Sequence, residues 1–120
     1  MFPGLPNSSE IVCNSVTATG TLITIPAGKW FTGDVSLTGA ISVAGTCNPT
    51  VATSGTNAAP ASGTIVARLM LTGVALLGPV SNSNTTEVIL LAPAGNSITL
   101  EFTAGAAGSS SATVNGYIFG

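Results

Sequence analysis

Apolar residues recur along this chain in short alternating runs, and turn residues interrupt them every eight to twelve positions. The clearest run is 97–103, where Ile98, Leu100 and Phe102 alternate with Thr99, Glu101 and Thr103. A period of two places successive side chains on opposite faces of a strand, so the first set predicts a core face and Glu101 faces solvent or a partner. The segment 64–74 repeats the pattern, with Ile65, Ala67, Leu69 and Leu71 expected inward and Val66, Arg68, Met70 and Thr72 outward. Val, Ile and Thr dominate these runs, and their branched side chains suit a pleated surface better than a helix. No stretch combines helix caps with a 3.6-residue apolar stripe.

The pattern predicts about eight strands, at 10–18, 21–25, 30–44, 50–54, 64–74, 87–91, 97–103 and 112–119. Segment 30–44 is long for one strand. Gly33 and Gly39 inside it predict bulges, or a bend carrying the chain from one sheet to the other. With no βαβ alternation, the economical architecture is all-β: a two-sheet β-sandwich, jelly-roll-like, with a closed barrel second. Residues 10–120 are expected to form a single β-sandwich domain, since about 100 to 150 residues is the common domain size. Residues 1–9 read as an N-terminal arm whose Phe2, Pro3, Leu5 and Pro6 order against a neighbour, the alternative being a frayed terminus. Segments 48–63 and 103–111 read as small-residue loops.

Composition narrows the chemistry. Among 120 residues there are two Lys+Arg, four Asp+Glu and no His, so 5% of the chain is charged against 45% hydrophobic. An ordinary soluble domain is about 25% charged. A nucleophile–His–acid triad lacks its imidazole, and the one substitute base, Lys29, follows Gly28 in a turn-like PAGK segment where a solvated ammonium is expected. Carboxylate pairs for glycoside hydrolysis would have to come from Glu10, Asp34, Glu87 and Glu101. Of these, Glu87 and Glu101 lie on consecutive predicted strands, where a solvated strand face is the plainer reading. Cys13 and Cys47 are too isolated for a zinc site and are expected as reduced, buried or half-buried thiols. We therefore expect no enzyme, no cofactor and no metal. Two basic residues leave nothing to neutralise phosphates, so no nucleic acid is expected either.

A positive mean hydropathy invites a membrane reading of 65–80. That stretch is short of the about 20 apolar residues a spanning helix needs, and it contains Arg68, Gly73, Gly78 and Pro79. Two buried strands joined by a turn fit it better, and no membrane partner is expected. The first ten residues do not resemble a secretory signal. What remains is assembly. A surface of Ser, Thr, Asn, Gly and Ala has little like-charge repulsion and suits permanent packing, since obligate interfaces are depleted in charge. A homo-oligomer is expected.

Certain runs carry a family resemblance. Ile23-Thr24-Ile25-Pro26-Ala27-Gly28-Lys29-Trp30-Phe31 and the alternating stretch after it, Gly63-Thr64-Ile65-Val66-Ala67-Arg68-Leu69, Ala92-Pro93-Ala94-Gly95-Asn96, and Ala112-Thr113-Val114-Asn115-Gly116-Tyr117-Ile118-Phe119 resemble the small decoration or cement proteins of tailed-bacteriophage capsids. The resemblance covers most of the chain from Ile23 onward and rests on composition and turns. It implies a structural virion protein, a β-sandwich trimer on the outer capsid surface that staples neighbouring major capsid protein subunits. It also implies an interface through the arm residues Phe2, Pro3, Leu5 and Pro6 and through Lys29, Trp30 and Phe31. The alternatives are a phage head-fibre or tail-fibre module and a glycan-binding β-sandwich using Trp30 or Tyr117.

Overall fold

The computed structural model describes residues 10–54, 64–74, 78–92 and 94–120. Within them lie ten strands: β1 (Glu10–Val16), β2 (Gly20–Ile25), β3 (Trp30–Ile41), β4 (Gly45–Cys47), β5 (Thr50–Ser54), β6 (Ile65–Arg68), β7 (Leu71–Gly73), β8 (Val80–Leu91), β9 (Ile98–Thr103) and β10 (Ser109–Phe119). A first sheet has the order β1-β10-β3-β8 and a second the order β2-β9-β5-β6, while β4 and β7 form a small ribbon. Every pairing is antiparallel. Apart from the β5–β6 hairpin, each connection between the eight longer strands crosses from one sheet to the other. This is the winding of a jelly roll.

Alternation explains which side chains the sheets share. On β3, Phe31, Val35 and Leu37 point inward, on β9 Ile98, Leu100 and Phe102, and on β10 Ala112, Val114 and Ile118. Together with Leu22, Ile25 and Val51 they form one continuous core between the sheets. Burying each of the larger apolar side chains contributes about 1.5–3 kcal/mol. A second, smaller cluster of Ile41, Cys47 and Leu71 sits beneath the β4–β7 ribbon.

Four expectations change. β3 stays within one sheet, and its register with both β10 and β8 runs without a shift, so neither Gly33 nor Gly39 marks a bulge or a sheet crossing. Both glycines instead permit close approach. A Cβ on Gly33 would lie 2.2 Å from the Asn115 carbonyl oxygen, and one on Gly39 would lie 3.1 Å from Leu71 and 3.2 Å from the Cys47 sulfur. The register shifts fall elsewhere, at Thr21/Ile23 of β2, where Leu22 is the extra residue, and opposite Val51/Ala52 of β5, where Val66 of β6 is. The first of these lets the adjacent Leu22 and Ile23 both reach the core.

Segment 64–74 is two strands, broken at Leu69 and Met70, where the Leu69 amide donates to the Pro49 carbonyl at 3.1 Å. Its inward set holds for Ala67, Leu69 and Leu71, whereas Ile65 is exposed. β8 starts seven positions before the expected 87, and β10 starts within the predicted loop 103–111. Both early portions are Ser-, Thr- and Asn-rich, with no apolar alternation to announce a strand. Pairing with β3 makes them strands: Val80–Thr86 lies opposite Val35–Ile41, and Ser109–Ser111 opposite Thr38–Ala40. Finally, the two cysteines differ. Cys47 is buried in the ribbon cluster, while Cys13 is exposed, and both are free.

Candidate interaction surface

The two carboxylates expected on consecutive strands do not converge. Glu87 and Glu101 are separated by the sandwich, one on β8 of the first sheet and the other on β9 of the second. The cross-strand neighbour of Glu87 is Asp34. Among the described residues no three or more of His, Cys, Asp and Glu lie together as a metal-binding group. The Lys29 ammonium donates to the Gly120 carbonyl oxygen at 3.1 Å, which fixes the turn beside the chain end. In that turn Gly28 takes φ of 77°, and the Lys29 amide donates to the Pro26 carbonyl.

What the fold does assemble is a face. On the solvent side of the first sheet, the register of the four strands lays side chains out in rows. One row reads Ile11, Tyr117, Thr32, Ile89 from β1 to β8, and the next, nearer the strand ends, reads Phe119, Trp30, Leu91. Ile11 and Ile89 are 60% and 61% exposed, and Trp30 and Leu91 are 40% exposed. Trp30 stacks on Phe119 with ring centroids 6.5 Å apart and planes 10° from parallel. These side chains form one contiguous apolar block spanning all four strands. Exposed apolar patches on soluble proteins mark interaction sites.

The same face changes character along the strands. Beyond the block comes the row Cys13, Asn115, Asp34, Glu87, and after it Ser15, Thr113, Ser36, Thr85. In the latter row the hydroxyls pair across strands, Ser15 with Thr113 at 2.9 Å and Ser36 with Thr85 at 3.0 Å. Thr38 and Ser111 continue the ladder one row further. There a shallow concavity of about 780 Å³ opens among hydroxyls and backbone, lined by Thr38, Ser83, Ser109 and Ser111 with Asn82. It holds no charged or aromatic side chain.

The second sheet presents no such block. Its outward rows are Thr21, Glu101, Ala52, Ile65, then Thr24, Thr99, Ser54, and Thr103, Thr50, Arg68. Thr24 and Thr99 face one another with hydroxyls 3.4 Å apart.

Of the expected interface residues, Trp30 lies in the apolar block and Lys29 borders it. Phe31 does not. Its neighbour Trp30 faces outward, so alternation turns Phe31 into the core, where it is fully buried, and the expectation that it contacts a neighbour is corrected. Phe2, Pro3, Leu5 and Pro6 lie outside the described residues. The sequence reading missed Ile11, Ile89 and Leu91. For Ile89 and Leu91 the signal was the run Val88-Ile89-Leu90-Leu91, apolar on both faces of a strand whose outer side no other layer of the described residues covers.

No family model matches this sequence, and no curated protein matches it. Solved structures with similarity include a chain from Bacillus endospore appendages described as disulfide-linked pili, with TM-score 0.40, 16% identity, and coverage of 92% of this chain and 85% of that one. Murine APRIL gives TM-score 0.39 and 15% identity over 90% of this chain and 98% of its own. Infectious bursal virus derived T=1 particles give TM-score 0.38 and 17% identity over 98% of this chain and 34% of theirs. At TM-scores below 0.5 these likenesses carry no functional argument.

Proposed function

We propose that this is a non-enzymatic structural assembly protein, a decoration or cement protein that trimerises on the outer surface of a tailed-phage head and staples neighbouring major capsid subunits. The observation that carries the assembly reading is the apolar block of Ile11, Tyr117, Trp30, Ile89 and Leu91 on a face otherwise covered with hydroxyls and the single polar row of Cys13, Asn115, Asp34 and Glu87. A face of that kind loses little on desolvation and gains by covering its apolar area, at about 25 cal/mol for each Å² removed from water. The 5% charged composition supports the same reading, because no strong like-charge field opposes close packing of copies. The capsid as partner and the trimeric state rest on the sequence resemblance alone.

The test is co-sedimentation with phage capsids, with light scattering on the free protein. A trimer that pellets with heads, and a Trp30→Ser/Leu91→Ser variant that stays folded but binds heads at least about tenfold more weakly, are the expected results. A stable monomer, or a variant that binds as the parent does, overturns the proposal. A glycan-binding sandwich is the second reading, favoured by Trp30 and Tyr117 lying exposed on one face. Micromolar sugar affinity lost in Trp30→Ala would establish it over the first.

A further inference from the structure

Among the described residues the first sheet ends on two unpaired edges, since β1 pairs only with β10 and β8 only with β3. Among the described residues no backbone group from outside the sheet bonds to the backbone of either strand. Exposed edges offer unpaired amides and carbonyls to another chain, and proteins ordinarily blunt them with Lys, Pro, bulges or very short strands. Neither edge has Lys, Pro, a bulge or a very short strand, and the charged residues are one on each edge, Glu10 on β1 and Glu87 on β8. β8 is 12 residues long and pairs with β3 without a register shift, its sequence VSNSNTTEVILL holding neither Lys nor Pro. β1, EIVCNSV, is likewise free of both.

The two edges match each other. Each step across the sheet reverses direction, so β1 and β8 run oppositely. A second copy set beside the first, its sheet continuing the same rows, therefore lays its β1 antiparallel to β8, the more stable pairing. The row that begins at Ile11 on one edge ends at Ile89 on the other. The row that begins at Ser15 ends at Thr85, and the row of Cys13 ends at Glu87. Continuing these rows sets isoleucine beside isoleucine and hydroxyl beside hydroxyl. No like charges are opposed, because Glu10 falls in the row of Leu90 and faces the other side of the sheet. Cross-strand pairs of this kind are the unit of sheet stability.

We infer that β8 of one copy pairs antiparallel with β1 of the next, Ile89 against Ile11, so that the first sheet runs on from copy to copy. The occupant of each edge is the opposite edge of a second copy, because that strand supplies the side-chain sequence the rows require. Such a contact is head-to-tail, and it closes into a ring when the rotation between copies allows and otherwise extends as a filament. A three-membered ring is one closure. The inference deepens the self-association part of the proposed function and rests on that part alone.

The experiment uses two single variants, Ile11→Lys and Ile89→Lys, at exposed positions where folding is retained, as circular dichroism will verify. Each variant blocks one edge and leaves the other intact. Light scattering is expected to show each one alone with self-association weakened roughly tenfold or more, and their equimolar mixture as a 1:1 heterodimer. Variants that keep the parental mass, or a mixture that stays monomeric, overturn the inference. In a Cys13→Ser background, Ile11→Cys/Ile89→Cys should oxidise to covalent oligomers while the mismatched Ser15→Cys/Ile89→Cys does not; equal cross-linking by both also overturns it. Capsid binding separates the two proposals. Edge-paired oligomers that ignore capsids sink only the capsid reading, and capsid binding by a protein that never edge-pairs sinks only this one.

Discussion

The outer faces of the two sheets invite comparison because both are antiparallel, four strands wide and built over the same core. On the second sheet most outward positions are hydroxyl-bearing, Thr21, Thr24, Thr99, Thr103, Thr50 and Ser54, beside Glu101, Ala52, Ile65 and Arg68. Threonine at these positions combines a β-branched carbon that suits the strand with a hydroxyl that suits water. The first sheet keeps that solution at one end, in its Ser15–Thr113 and Ser36–Thr85 pairs, and abandons it at the other. There Ile11, Ile89, Trp30 and Leu91 stand exposed. Strand propensity alone would be served equally well by either set. The difference sets an exposed apolar block at one end of the first sheet apart from the polar positions around it.

The comparison can be broken most severely from beneath. Gly33 and Gly116 pair directly across β3 and β10, and a Cβ on either would lie 2.2 Å from a backbone oxygen of the other strand. Gly33→Ala forces the two strands apart under Asp34 and Thr32 and is expected to cost about 2–4 kcal/mol, read from urea unfolding. Ala52→Ser, on the outer face of the second sheet, should change stability by less than about 0.5 kcal/mol. If the two substitutions cost the same, the first sheet is not the tightly registered platform described above.

A smaller effect tests the boundary between the apolar and hydroxyl halves. Asp34 and Glu87 stand directly opposite one another on β3 and β8, both exposed. Like charges directly opposed on a sheet are destabilising. Asp34→Asn should raise the urea midpoint at neutral pH, by the equivalent of a few tenths of a kcal/mol, and a lowered midpoint would mean that the carboxylate has a partner role. The smallest expected effect is that of salt. Under the proposed association through the apolar block, raising sodium chloride from 0.05 to 0.5 M, a range of about 14 to 4 Å in screening length, should leave the oligomer mass nearly unchanged. Dissociation over that range would shift the weight of the interface from the block to the few charges around it.

The period-two signal in the sequence was strongest where one face is apolar and the other polar, and there it located strands closely. Residues 97–103 became β9, with Ile98, Leu100 and Phe102 buried, and 50–54 became β5 at the expected bounds. It failed where both faces are polar. Ser81, Asn82, Ser83 and Asn84 carry no alternation, and Asn82 and Asn84 remain exposed even on the inward side of β8. Such a segment becomes a strand only because β3 is there to pair with it. Trp30 and Lys29, singled out from their turn, lie exposed in and beside the apolar block. Ile11 was not, because nothing local relates position 11 to position 89.

By itself the sequence determined the all-β class, the inward set of β9 and most of that of segment 64–74, and a composition poor in charge. These follow from local spacing and from composition, which need no knowledge of strand order. The tertiary structure alone decided the register that joins Ile11, Tyr117, Thr32 and Ile89 into a row, the glycine pair beneath it, and the two edges that share its pattern. Those depend on which strands become neighbours, a property set by long-range packing of the whole core, and it is there that the exposed apolar block is assembled.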